Sequence, residues 1–172
     1  MKRILIFTGD GKGKTTAALG TLLRAVGYGQ RCLIVQFIKG KADVGELAAC
    51  GHLPGVEVVQ LGCGFSPRPD SPQFARHQQA AEEALELARS ALTSGKYDLL
   101  LLDEICYAIT SKLIDESRVI ELLHQPSTCS CIILTGRNAS QVLMGHADTV
   151  TEMKCIRHAL QAGIAATPGV EY

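Results

Sequence analysis

Short apolar runs alternate along the chain with longer segments whose apolar residues recur at helical spacing. The runs predict strands at 4–7, 32–37, 56–61, 97–102, 130–134 and 149–153; the longer segments predict helices at 15–26, about 73–94, 117–124 and 139–144. The glycine- and proline-rich stretch 62–72 is predicted to be a loop. Strands that alternate with helices imply crossover connections. The pattern therefore predicts an α/β fold, with a mostly parallel sheet of about six strands and helices on both faces.

The composition is that of a globular protein with a substantial core. Hydrophobic residues make up 47% of the 172 residues, so a single domain over residues 1–172 is expected. The 17 basic and 17 acidic side chains balance, which gives no electrostatic case for nucleic acid or an anionic membrane. No apolar run approaches the roughly 18 residues of a spanning helix, and no signal peptide is evident. We therefore expect a cytoplasmic protein.

The cysteines and histidines have no metal-binding spacing. The seven cysteines are scattered without a C-x-x-C pair, and the five histidines form no H-x-x-x-H pattern. A zinc site or a disulfide framework is therefore not expected. We predict reduced cysteines, most of them buried as small apolar side chains.

The segment 4–16, I-L-I-F-T-G-D-G-K-G-K-T-T, places a glycine-rich loop between a strand and a helix. Its glycines allow a tight turn that directs several N–H groups at one anion, and the helix adds its positive end. Lys14 supplies a mobile charge, and the Thr15 hydroxyl can ligate Mg²⁺. The predicted phosphate-binding residues are Gly9, Asp10, Gly11, Lys12, Gly13, Lys14, Thr15 and Thr16.

This loop departs from the usual G-x-x-x-x-G-K-[ST] pattern, because Thr8 occupies the first glycine position. A glycine-rich turn with a solvated lysine is the simpler interpretation. The strand before the loop and the helix after it favour a phosphate loop, and hence a P-loop NTPase-like (RecA-like) fold.

The strand predicted at 97–102 delivers Asp103 and Glu104 to its carboxyl end, where open parallel sheets keep their sites. One of these carboxylates can hold the metal ion, directly or through water. Alternatively, the two acids cap a helix that begins near Cys106. The loop and the acids together indicate nucleotide binding, and leave open hydrolysis, phosphoryl transfer or rarer chemistry.

Two arginines are weaker candidates. Arg137 follows the strand predicted at 130–134, so it should lie on the same rim as the loop, as a phosphate contact or a surface charge. Arg24 lies about three helical turns beyond Lys14, and its spacing alone is typical of a helix-surface residue.

Several further motifs occur in a fixed order along nearly the whole chain. They are T-G-D-G-K-G-K-T-T at 8–16, R-A-V-G at 24–27, V-Q-F-I-K-G at 35–40, G-F at 64–65, L-D-E at 102–104, T-G-R at 135–137, A-D-T-V-T-E at 147–152 and G-V-E-Y at 169–172. Together they closely resemble the ATP:corrinoid adenosyltransferases of bacterial cobalamin synthesis and salvage.

The resemblance implies a chemistry in which a corrinoid Co(I) attacks C5′ of ATP and inorganic triphosphate leaves. ATP then lies opposite to its usual direction, with the loop around its terminal phosphate. By this resemblance, the candidate catalytic residues are Lys14, Glu104 and Phe65. The candidate ligands of Mg²⁺ or Mn²⁺ are Thr15, Glu104 and the adjacent Asp103. Arg24 and Arg137 become candidate phosphate or ribose contacts, and Phe65 lines the corrinoid side. The implied partners are ATP, a corrinoid, an electron-donating reductase or flavoprotein, and a second copy in a homodimer.

Two features differ from well-known family members, and both concern the corrinoid side. Those members carry an N-terminal helical extension, whereas this sequence starts directly at the first strand. They also carry a Trp two residues after the Phe, where this chain has Pro67 and no Trp anywhere.

Two other functions compete with adenosyl transfer. In an ordinary P-loop kinase or ATPase, Glu104 would activate an acceptor or water, and ADP would be a product. A binding module for ATP or corrinoid would bind nucleotide without forming products.

Overall fold

Six strands form one parallel sheet in the computed structural model, which describes residues 2–40 and 45–170. They are β1 (Arg3–Thr8), β2 (Cys32–Gln36), β3 (Val56–Gln60), β4 (Leu99–Asp103), β5 (Cys131–Thr135) and β6 (Thr149–Glu152). The strand order is β3-β2-β4-β5-β1-β6, and every pairing is parallel. The predicted parallel sheet is thus confirmed. Because β5 lies between β1 and β4, the phosphate loop and the acidic pair end on the same edge, one strand apart.

Six α-helices and one 3-10 helix accompany the sheet within the same residues. They are α1 (Lys14–Gly27), α2 (Gly45–Gly51), α3 (Phe74–Thr93), α4 (Ile105–Thr110), α5 (Glu116–His124), α6 (Gln141–Met144) and the 3-10 helix Ala159–Ala162. The four predicted helices are confirmed, with boundaries shifted by no more than two residues. The sequence analysis did not predict α2, α4 or the 3-10 helix. No helix in this part of the chain is long and apolar enough to cross a membrane.

Both faces of the sheet are buried along its central strands, as predicted, whereas the edge strand β6 is exposed at all four positions. Side chains alternate along each strand, so Leu33 and Val35 of β2 join the cluster under α3 and α5, while Ile34 packs with Ala18 and Leu22 of α1. Burial on both faces explains why these strands are continuous apolar runs rather than alternating ones.

The cysteines are unpaired thiols, and most lie away from solvent. Cys32, Cys50, Cys106 and Cys129 are buried, Cys131 is half-buried, and Cys63 and Cys155 are exposed. Burial raises the pKa of the Cys106 thiol to about 12. The prediction of mostly buried cysteines is confirmed, and the two exposed thiols lie in segments without regular structure.

Candidate nucleotide and metal site

The glycine-rich loop connects the end of β1 to the first residue of α1, Lys14. A Cβ on Gly9 would lie 2.5 Å from the carbonyl oxygen of Met153, which follows β6. Gly13, immediately before α1, has a φ of 113°, which strongly favours glycine. The Gly11 N–H donates to the Met153 carbonyl at 2.7 Å. The prediction that the Gly11 N–H is directed at an anion is therefore wrong, since this N–H donates to the backbone after β6.

The Lys14 side chain is folded into the loop. It is 8% exposed, and its Nζ donates to the Gly11 carbonyl at 2.7 Å. Burial lowers the pKa of Lys14, and the nearby Glu104 carboxylate partly opposes that shift. The ammonium group thus lies against the Gly11 carbonyl at the beginning of α1, where an anion would also meet the positive end of the helix.

Asp103, the last residue of β4, is the most enclosed acid of the site, at 1% exposure. Its Oδ1 accepts hydrogen bonds from the hydroxyls of Thr15 and Thr135, each at 2.8 Å. Its Oδ2 accepts a third bond from the Gln36 side chain at 3.0 Å. Because Thr15 donates its proton to Asp103, the lone pairs of the Thr15 oxygen remain available to a cation.

Glu104 directly precedes α4 and has a φ of 63°, a left-handed conformation that is uncommon for a residue with a side chain. Its N–H donates to the Thr135 hydroxyl at 2.9 Å, which fixes this turn against β5. Burial, and next the neighbouring Asp103, raise the pKa of Glu104, while Lys14, Lys39 and Arg137 act in the opposite direction. No side-chain hydrogen bond caps α4, so the interpretation of these acids as helix caps is wrong.

A cleft of about 570 Å³ opens over the loop. Of the predicted residues, Asp10, Gly11, Lys12, Gly13, Lys14, Thr15, Thr16, Glu104 and Arg137 line it. Arg137 therefore lies on the same rim as the loop, as predicted. Two residues of the predicted loop and acidic pair do not line the cleft. Gly9 packs against Met153 behind the loop, and Asp103 lies beneath the loop, where its carboxylate accepts a hydrogen bond from Thr15.

Other lining residues were not predicted: Leu19, Lys39, Gly45, Glu46, Ala49, His158, Gly169 and Val170. Lys39 forms an ion pair with Glu46 of α2 on this wall. Lys12 donates to the carbonyl of Val170, so the C-terminal segment returns to the loop. Glu171 and Tyr172 of the closing G-V-E-Y lie outside the described residues. Lys39 is part of the V-Q-F-I-K-G motif, which gave a signal for it in the sequence. Gly169 and Val170 reach the cleft only through the tertiary fold.

Arg24 is the predicted phosphate contact that the structure does not bring to this cleft. It lies exposed in the last turn of α1, about 15 Å along the helix axis from Lys14. A role for Arg24 in nucleotide binding stays a prediction.

Phe65 lies in the segment 62–72, here called the Phe65 loop, which follows β3. The ring is 83% exposed and meets Tyr107 of α4 edge-on, with centroids 6.1 Å apart. The loop is held near its start, since the Gly64 N–H donates to the Ile38 carbonyl at 2.8 Å. Phe65 is therefore not a core residue, and its ring is available to a ligand.

The parallel sheet, the loop before α1 and the carboxylates after β4 define a P-loop nucleotide-binding α/β protein. Solved structures agree on the fold: a KaiC-like protein from Pyrococcus horikoshii matches with a TM-score of 0.55 at 16% identity, over 89% of this chain and 72% of that one. The cytoplasmic domain of EssC matches with a TM-score of 0.53 at 16% identity, over 96% of this chain and 34% of that one.

Sequence comparison identifies the family within this class. The family model ATP:corrinoid adenosyltransferase BtuR/CobO/CobP matches residues 1–172. The corrinoid adenosyltransferase of Escherichia coli K12 is 36% identical over 98% of this chain and 85% of its own length. The corrinoid adenosyltransferase of a Sinorhizobium species is 38% identical over 98% of this chain and 79% of its own length. The chain belongs to the ATP:corrinoid adenosyltransferase family, which confirms the resemblance seen in its motifs.

Proposed function

We propose that this protein transfers the 5′-deoxyadenosyl group of ATP to the Co(I) centre of a corrinoid and releases triphosphate. The observation that carries the proposal is the full-length family match, on a chain whose cleft is lined by the phosphate loop. The cobalt electron pair forms the Co–C5′ bond, and the pair of the C5′–O5′ bond leaves on the triphosphate oxygen. Cobalt passes formally from Co(I) to Co(III).

The charge that develops in this reaction appears on the leaving triphosphate. Lys14 and the positive end of α1 face the cleft where we propose that the terminal phosphate lies, with ATP reversed from its usual direction. Arg137 lies on the same rim and is the second cation that we assign to the phosphates. The nucleophile belongs to the corrinoid, so the protein needs to supply position and electrostatic stabilisation rather than an activated side chain.

The residues under the loop fit a hard divalent cation such as Mg²⁺ or Mn²⁺. Thr15 directs its hydroxyl proton to a buried carboxylate, and Glu104 lines the cleft beside it, so the donor set consists of oxygen atoms. We assign Thr15 and Glu104 as ligands, and Asp103 as a partner through Thr15 or water. When bound, the ion neutralises charge on the triphosphate.

Phe65 is assigned to the corrinoid side because its ring is exposed above α4. An aromatic ring packed under the corrinoid can replace the lower axial ligand, which makes reduction of Co(II) easier. An electron-donating reductase or flavoprotein would supply the electron. A homodimer and a cytoplasmic location also remain predictions from the sequence.

One reconstitution tests the proposal. The protein is mixed with ATP, Mg²⁺ and chemically reduced corrinoid under anaerobic, light-protected conditions, and the products are separated. We expect equal amounts of a light-sensitive adenosylcorrinoid and triphosphate. ADP formed in step with turnover would identify a kinase or ATPase instead, and nucleotide binding without products would identify a binding module.

A further inference from the structure

Three polar side chains lie side by side where β3, β2 and β4 end. Gln36 is the register partner of Gln60 on one neighbouring strand and of Asp103 on the other. Gln36 is 2% exposed, in a strand whose other four residues are apolar and buried. A buried amide in such a strand needs hydrogen-bond partners for its oxygen and its nitrogen to be tolerated.

The three side chains form one directed chain of hydrogen bonds. Gln60 Nε2 donates to Gln36 Oε1 at 2.7 Å, and Gln36 Nε2 donates to Asp103 Oδ2 at 3.0 Å. Because the Asp103 carboxylate can only accept, the Gln36 amide directs its Nε2 at Asp103 and its Oε1 at Gln60; the opposite orientation would bring two acceptors together at Asp103 and two donors together at Gln60. Gln60 therefore supports the orientation that Asp103 selects for Gln36, and Gln36 in turn holds one oxygen of Asp103.

We propose that Gln36 is a positioning residue for the metal site, with its amide supported by the Gln60 side chain. With Oδ2 held by Gln36, Oδ1 faces the hydroxyls of Thr15 and Thr135. This arrangement keeps the Thr15 lone pairs directed at the cation position. Partners that orient a ligand in this way typically change metal affinity about 10–100-fold when they are removed.

The same residue also anchors the Phe65 loop through its backbone. The Gln36 carbonyl accepts from the N–H groups of both Leu61 and Gly62, each at 3.3 Å. A Cβ on Gly62 would lie 2.2 Å from the carbonyl carbon of Ile38, so the loop leaves β3 in close contact with the chain after β2. Gln36 thus connects the metal site with the beginning of the loop assigned to the corrinoid.

The inference rests on the proposed metal site, and its test is binding of ATP without corrinoid, measured calorimetrically with Mg²⁺ and with EDTA. Gln36→Met removes the amide and keeps an unbranched side chain of similar length. We expect it to weaken ATP binding about 10–100-fold with Mg²⁺ and to leave binding in EDTA within about twofold. Mn²⁺ binding in the ATP complex, followed by electron paramagnetic resonance, should weaken by the same factor.

Gln79→Met is the matched control, since Gln79 is an exposed glutamine of α3 that bonds only to Glu83 among the contacts of the described chain. It should change neither affinity. Gln60→Met should give a smaller loss than Gln36→Met, again only with Mg²⁺, and it carries the test alone if Gln36→Met does not fold. Unchanged Mg²⁺-dependent affinity, or equal losses with Mg²⁺ and EDTA, would overturn the proposal. If adenosyl transfer fails while this pattern holds, the proposed function is wrong and the role of Gln36 stands.

Discussion

The phosphate loop, residues 9–16, and the Phe65 loop, residues 62–72, both follow strands of the same parallel sheet, but they hold their functional side chains differently. Around the phosphate loop, Lys14 is 8% exposed and Asp103 is 1% exposed, and side-chain hydrogen bonds fix both. Phe65 is 83% exposed and has one ring contact, with Tyr107.

The difference follows from what each region would bind. A triphosphate and a cation demand fixed charges at fixed distances, and preorganised groups stabilise charge without reorganising during the reaction. A corrinoid is large and planar and presents mainly a broad flat surface. An exposed aromatic ring can pack against this surface once the corrinoid binds. Substitutions in the first region should therefore affect every assay, whereas substitutions in the second should affect one kind of substrate.

The largest effect is expected for Lys14→Ala, which removes the cation that we place beside the leaving triphosphate. We expect kcat/KM for adenosylation of Co(I) corrinoid to fall about 10²–10³-fold, equal to about 3–4 kcal/mol. Lys96→Ala, at the amino end of the sheet, removes a surface ion pair with Glu57 and a contact with the Tyr97 ring, and should leave turnover unchanged. Near-normal kcat/KM in Lys14→Ala would mean that the triphosphate lies elsewhere.

Glu104→Gln should lower the metal affinity of the ATP complex about 10–100-fold while ATP still binds. Because a ligand defect is one of affinity, raised Mg²⁺ or Mn²⁺ should restore part of the rate. Initial rates across a metal titration measure this, with Glu83→Gln on the exposed side of α3 as control. A variant that binds ATP yet gains nothing from added metal would indicate a general base instead of a ligand.

Phe65→Ala tests the second region of this comparison, the Phe65 loop. Adenosylation that starts from Co(II) with a reductant should slow about tenfold or more, equal to about 1.4 kcal/mol, whereas the reaction of chemically prepared Co(I) and the affinity for ATP should change little. Tyr28→Ala removes a ring of similar exposure, 84%, beyond the end of α1, and serves as the control. Equal losses from both cobalt states would remove Phe65 from the reduction step.

The smallest effect concerns thiols. Cys63 in the Phe65 loop and Cys155 are exposed, whereas burial raises the pKa of Cys106 to about 12 and that of Cys32 to about 11. A disulfide reagent should modify two thiols quickly and the remainder only on unfolding. Cys63→Ser and Cys155→Ser should each remove one fast-reacting thiol. Fast modification of more than two would show that the sheet opens more readily than its burial implies.

Features that local sequence encodes could be predicted. The central strands β2, β4 and β5 are nearly continuous apolar runs because both faces of the sheet are covered there, and Gly13 with Lys14 marks the beginning of α1. Short helices were harder to predict from the sequence. Helix α2 is only seven residues long and has glycine at both ends, and α4 begins with Ile-Cys-Tyr, residues that also suit strands.

The remaining parts of the site depend on long-range placement. Val170 reaches the loop through Lys12, and Met153 occupies the Gly11 N–H, contacts that no local pattern signals. Gln36 carried a usable signal, because it is a polar residue inside an apolar strand. Its function nevertheless depends on being in register with Asp103, which requires the strand order β3-β2-β4.

The central claim is that the C5′–O5′ bond of ATP breaks, rather than a phosphorus–oxygen bond. ATP labelled with ¹⁸O at the 5′ bridging oxygen tests this directly, when turned over with Co(I) corrinoid and analysed by mass spectrometry. The account predicts that the label leaves in triphosphate and that the adenosylcorrinoid carries none. Label retained in ADP, formed in step with turnover, would contradict it.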